Sequence, residues 1–199
     1  HAVRVLGASE YKAKNIIMSS KARSMVVERG QEDWDSEFDR FPRLFKGYEE
    51  IPGLTWPTTT FEKKMSVFLG KRRVDLYFLG RAHTAGDIVI HVLDSNVLFT
   101  GDIVEYKSAC YCGDAHLQDW PRTLKNIANF QSVSLVPGRG DALLVPEKIE
   151  DALALTEDFV TSTFKSVSTI AHAGGDLKEA MSSCSCLLYT SPSPRDKRQ

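Results

Sequence analysis

The strongest constraint in this sequence is a change of period at Thr58. Between there and Thr100, five short runs rich in β-branched and aromatic residues follow one another, at 58–61, 65–69, 74–79, 88–93 and 97–100. Three of the gaps between them carry turn signals: Glu62-Lys63-Lys64, Gly70-Lys71-Arg72 and Asp94-Ser95-Asn96. Short strands joined by short turns predict an antiparallel meander.

Helical patterns bracket the meander. Residues 8–14 read as a short helix and 15–18 as a short strand, and 21–29 read as a helix ended by Gly30. Trp34, Phe38, Phe41 and Phe45 recur at helical spacing, so one face of that segment is expected to pack. Pro52, Gly53 and Pro57 mark a loop. After the meander, Asp119 has the character of an N-cap and Pro121 sits in the first turn, while Trp120, Leu124, Ile127 and Ala128 form one apolar stripe. Residues 133–136 read as a buried strand. Pro146 opens a long helix to about His172, with Ile149, Leu153, Val160, Phe164 and Val167 turned inward. Strands bracketed by helices make a layered α/β fold, here one domain over residues 1–185.

Three loops follow strand ends, where a rigid sheet can present catalytic groups. They are Gly80-Arg81-Ala82-His83-Thr84-Ala85-Gly86-Asp87, then Gly101-Asp102, then Pro137-Gly138-Arg139-Gly140. In this order and spacing the trio resembles the metallo-β-lactamase superfamily. The resemblance implies a four-layer αββα sandwich with metals at one edge, between the sheets. His83 stands where the family has its His-Thr-x-Gly-Asp ligand. Asp102 stands at the Gly-Asp that usually bridges two metals. Arg139 stands where the family has the histidine of Pro-Gly-His-Gly.

The family's opening motif, His-x-His-x-Asp-His, is represented here only by His1-Ala2-Val3-Arg4. In this register His1 is the second histidine and the first lies upstream, so the sandwich is expected to be incomplete at its N-terminus. Val3 fills the aspartate slot and Arg4 the last histidine slot. The implied ligands of the first metal are an upstream histidine, His1 and His83, with Asp102 beside them. Of the second metal's four ligands only Asp102 survives: valine has no donor atom, and a guanidinium has no lone pair to give. One metal is therefore expected, zinc first, with iron or manganese also suited to His/Asp sites. Arg4 and Arg139 are expected to stand in for the second metal, pairing with Asp102 and offering bidentate donors to an anionic substrate group.

The implied function is a metal-dependent hydrolase, a metal-bound hydroxide attacking an ester, thioester, amide or lactam carbonyl. Asp102 would orient water or act as general base, and Arg139 would help hold the oxyanion. The alternatives are a non-catalytic member that binds an anionic ligand through its arginines, and an iron redox member of the fold. Asp87 is expected to brace the His83 loop and His116 to contact substrate. His91, mid-strand, reads as a sheet-face residue, and His172 as a solvent-facing residue near a helix end.

Composition narrows the partners. Twenty-five basic against 26 acidic residues give a net charge of −1, without the basic excess of a nucleic-acid footprint. No apolar run approaches a membrane span. The expected partner is a small molecule, and the sequence carries no signal for oligomeric state. The four cysteines, Cys110, Cys112, Cys184 and Cys186, lack zinc-ribbon spacing and read as ordinary thiols; this fits a reducing, cytoplasmic setting, although a leader could lie upstream of His1. Residues 186–199 begin Cys-Leu-Leu-Tyr-Thr-Ser-Pro-Ser-Pro-Arg-Asp, which resembles a translated sequencing-library adapter. That tail is expected to be non-native and disordered, and it is set aside from the fold.

Overall fold

The β-rich centre becomes a five-stranded sheet in the computed structural model, which describes residues 7–51 and 53–184. The expectations for His1, Arg4 and the tail at 186–199 fall outside the described residues. The strands lie in chain order: β3 (Lys64–Leu69), β4 (Arg72–Tyr77), β5 (Val89–Val92), β6 (Val97–Glu105) and β7 (Ser134–Arg139). β3 to β6 are antiparallel, and β7 joins β6 in parallel after a helical crossover. β6 and β7 both run past the ends read from sequence and carry Gly101-Asp102 and the Pro-Gly-Arg motif within the ladder.

The first of the five runs departs from the meander. β2 (Thr59–Phe61) pairs in parallel with β1 (Ile17–Ser19) in a separate two-stranded sheet. A three-residue strand is too short to choose its partner by local turn chemistry, and here a neighbour 42 residues away supplies the ladder. The Ser19 hydroxyl then donates to the Gly86 carbonyl at 2.7 Å, tying the small sheet to the His83 loop.

The same hydroxyl accepts the Ala22 N–H at 3.0 Å and caps α1 (Ser20–Arg40). This helix runs straight through Gly30, which the sequence reading took as its end. The position is buried, and a side chain there would press within 2.9 Å of Leu54 Cδ1, so the glycine serves packing. The expected aromatic face exists: Trp34 and Phe38 meet Phe45 edge-on, at centroid distances of 5.4 and 5.2 Å. The helix expected at 8–14 is a single 3-10 turn, Ala8–Tyr11.

Three more helices follow: α2 (Trp120–Ala128), α3 (Pro146–His172) and α4 (Leu177–Ser183). Asp119 precedes α2 but makes no side-chain cap, because its carboxylate pairs with Arg81. Along α3 the buried positions are Ile149, Ala152, Thr156 and Val160. Val167 stays 39% exposed, contrary to expectation, because α3 buries residues against the core only along its first half. The main core joins Leu98 and Leu135 of the sheet to Trp120, Leu124 and Ile127 of α2 and to the inward side chains of α3. The opposite sheet face carries Leu76, Ile90 and Phe99, which the register places together. Among the described residues, no helix is long and apolar enough to cross a membrane.

One buried charge sits away from the motif loops. Asp75, with no exposed surface, receives Arg73 on both oxygens at 2.8 and 2.9 Å, Lys64 at 2.9 Å, Ser66 at 2.7 Å and Tyr77 at 3.1 Å. Burial pushes the Asp75 carboxyl up, but these donors outweigh it and hold the group well below the usual carboxylate range. A carboxyl whose pKa falls on folding stabilises the fold above its unfolded value of about 3.9 and loses that contribution as pH drops further. Asp75→Asn is therefore expected to lower the urea midpoint at pH 7, with the gap to the parent shrinking below about pH 4. A gap that stays constant with pH would assign the loss to shape instead of charge. Next to it in the register, His91 accepts or donates to Asn96 at 2.9 Å and packs edge-on to Phe130, as a sheet-face residue should.

Candidate metal centre

The three motif loops converge. His83 leaves the segment after β4, Asp102 lies within β6, and Gly138 comes from β7. The pairing of β6 with β7 shifts between Phe99, Gly101 and Glu105, and Gly101 takes φ +53° at this irregularity. A bulge of this kind re-aims the side chain that follows it, here Asp102. Gly138 then packs onto Asp102 so closely that a Cβ would lie 2.2 Å from its Oδ1 and 2.6 Å from its Cα. The glycine of the Pro-Gly pair is thus required by contact with the acid.

His83 is 1% exposed, beneath Tyr111 at 5.8 Å and edge-on to Trp120 at 5.9 Å. Burial lowers its pKa, and the charges of Asp87 and Asp102 offset only part of that. The imidazole is thereby held in the neutral form, the one with a lone pair to donate. Asp87 does what the sequence reading assigned to it. Its two oxygens accept the Thr84 N–H at 2.6 Å and the Thr84 hydroxyl at 2.7 Å, fixing the turn that aims His83.

Nε2 of His83 and Oδ2 of Asp102 stand 3.6 Å apart. That is too long for a hydrogen bond. It is close to the span of about 3.4 Å between two donors sharing a tetrahedral zinc at about 2.1 Å. The pair therefore fits two ligands of one ion. Among the described residues no group of three or more His, Cys, Asp or Glu side chains is gathered around an ion; the expected third ligand, His1, lies outside them.

Arg139 departs from expectation. Its Nη1 meets Glu105 Oε1 at 2.9 Å, where pairing with Asp102 was expected. The parallel register explains why: Glu105 lies directly opposite Arg139, three residues beyond Asp102 on the same strand. The Glu105 carboxylate is fully buried, whereas the Arg139 side chain is 43% exposed. The Glu105 backbone is clamped by Thr156 of α3, whose hydroxyl accepts its N–H at 3.3 Å and bonds its carbonyl at 3.1 Å. Sequence reasoning missed Glu105, since a lone acid at a strand end carries no motif.

A loop from Lys107 to Leu117 roofs this end. The His116 N–H donates to the Ala82 carbonyl at 2.8 Å, and its own carbonyl receives the N–H groups of Asp119 and Trp120 at 3.0 Å. Its backbone thus pins the roof beside His83. Asp114 in the same loop pairs with Arg29 of α1 at 2.8 Å. Cys110 and Cys112 are free thiols, as read from the sequence. Burial pushes Cys110 up to about 12, helped by the charge of Glu105, and Cys112 up to about 11, so both stay protonated.

This architecture defines a class: an α/β sandwich of the metallo-β-lactamase type, with a candidate metal centre where three strand-end loops converge. Solved structures bear out the fold. A metallo-β-lactamase from Pontibacter korlensis superposes with a TM-score of 0.57 at 18% identity, covering 76% of this chain and 61% of that one. Metallo-β-lactamase IND-7 gives 0.55 at 20% identity, with the same coverage. A "Metallo-beta-lactamase type 2" of Bacteroides fragilis is 32% identical over 118 residues, or 57% of this chain and 47% of the relative. One of Pseudomonas aeruginosa is 29% identical over 106 residues, 50% of this chain and 43% of the relative. The chain has the metallo-β-lactamase fold and is similar in sequence to metallo-β-lactamases over about half of its length. It spans about half the length of the curated relatives it matches, and no family model matches it.

Proposed function

We infer that the chain carries the centre of a metal-dependent hydrolase acting on an acyl carbonyl of a small molecule: an ester, thioester, amide or lactam. The observation that supports this most is the buried His83 held 3.6 Å from Asp102 where the three motif segments meet. His83 and Asp102 would hold a single divalent cation, zinc first, with iron or manganese possible by donor type. His1 is the proposed third protein ligand. A bound cation supplies Lewis acidity and makes water acidic enough to ionise near neutral pH. Asp102 would orient that water or take its proton. Arg139 engages Glu105 through Nη1 and keeps further guanidinium donors for a substrate oxygen. Arg4 is proposed for the same anionic end and His116 for substrate contact from the roof. Val3, Arg4 and Arg139 do not fit a second metal, because none offers a metal-binding lone pair.

Zinc and cobalt titrations test the reading, alongside turnover of chromogenic esters, thioesters and β-lactams. One equivalent bound and hydrolysis of at least one class is the expected result. Anion binding with no cation uptake would replace it by the non-catalytic reading, and bound iron with redox turnover by the oxidative one.

A further inference from the structure

α1 meets the candidate centre at two points. At its N-terminus the Ser19 hydroxyl donates to the Gly86 carbonyl at 2.7 Å, in the turn that follows His83. Roughly ten residues and 15 Å further along the helix, Arg29 reaches the roof, where its Nη1 bonds Asp114 Oδ1 at 2.8 Å. The guanidinium is aimed in advance. Its Nε and Nη2 both donate to Asp33 Oδ1, at 3.2 and 2.9 Å, from the next turn of the same helix. Burial across the contact is unequal: the Asp114 side chain is 10% exposed and that of Arg29 41%. Removing the guanidinium would strand a carboxylate largely out of water, so the cost falls on the loop that carries Asp114.

Asp114 lies in the stretch of roof that touches His83. Gly113, just before it, lies against the Tyr111 phenol, where any side chain would strike the ring. The Tyr111 ring in turn stands 5.8 Å from the imidazole. Just after Asp114, the Ala115 N–H closes onto the Cys112 carbonyl at 3.2 Å. The His116 N–H then donates at 2.8 Å to the carbonyl of Ala82, the residue that precedes His83. Segment 111–116 is therefore held to the His83 turn on one side and to α1 on the other.

We propose that Arg29 and Asp114 form a latch between α1 and the roof, and that Arg29 is a positioning residue which keeps the roof, and Tyr111 with it, closed over His83. The latch stands on these contacts; its effect on a bound cation rests on the reading of His83 and Asp102 as a single-cation site. Closed, the roof keeps water from the imidazole, which is 1% exposed, and holds the ring in one orientation. Released, it frees the ring to turn and a bound ion to exchange.

Amide hydrogen exchange and cobalt titration of the full chain test the latch. Arg29→Gln and Asp114→Asn are each expected to speed exchange across residues 107–117 on the order of tenfold, with α2 and α3 unchanged. Each is also expected to weaken cobalt binding severalfold. The double variant Arg29→Gln/Asp114→Asn should be no looser than either single variant, because both break the same contact. Roof exchange like the parent's in both single variants overturns the proposal, and so do losses that add in the double variant. Faster exchange spread over α2 and α3, with a lower urea midpoint, overturns it as well, since the pair would then serve the fold alone. A looser roof with unchanged cobalt affinity overturns the positioning of His83. If the roof loosens but the parent itself takes up no cobalt, the latch is upheld and the single-cation reading falls.

Discussion

His83→Ala is expected to cost the chain on the order of a hundredfold or more in cobalt or zinc affinity, more than loss of a group merely supporting a ligand would cost. The imidazole is the deepest polar group of the site, 1% exposed, with its ring locked between Tyr111 and Trp120 and its backbone turn fixed by Asp87. Cobalt makes the measurement direct, because its visible absorption reports ligand number as well as affinity. A His83→Gln variant, which keeps most of the volume, separates ligand loss from packing loss. If either variant binds cobalt as the parent does, with the same spectrum, His83 is not a ligand and the candidate centre is wrongly placed.

Most of what surrounds His83 was legible in the sequence. Period-two patterning and turn residues marked β3 to β6, since an antiparallel meander writes its partners into local spacing. The motif loops were legible as polar residues and glycines at strand ends. What failed was non-local. β2 found its partner 42 residues upstream, and no turn signal could record that. Gly30 looked like a helix stop because its role, admitting Leu54, belongs to another segment. Arg139 was read as unable to bind metal, and its partner was sought in the nearest motif carboxylate. The parallel register of β6 and β7 hands it Glu105 instead, and that register depends on a crossover helix. Chemistry was written in residue types; pairing was written in topology.

The other large effect concerns the wall behind the histidine. Trp120 has no exposed surface and opens α2, and its indole N–H donates to the Ile103 carbonyl at 2.9 Å. It joins the helix to β6 one residue after Asp102, while its ring edge meets His83 at 5.9 Å. Trp120→Ala removes this packing, leaves a cavity and strands a buried carbonyl, for a cost of about 3–5 kcal/mol. For a domain of this length that corresponds to a melting temperature lower by roughly 10 °C. Trp120→Phe keeps the ring but not the donor, and about 1 kcal/mol is expected from the lost hydrogen bond alone. Because the indole also fixes the imidazole, Trp120→Phe should weaken cobalt binding more than a core change of equal stability elsewhere, such as Val160→Ala on α3. If the two variants, matched in melting temperature, bind cobalt equally well, the tryptophan supports the fold without organising the site, and the rigidity assigned to His83 must come from Asp87 and Thr84.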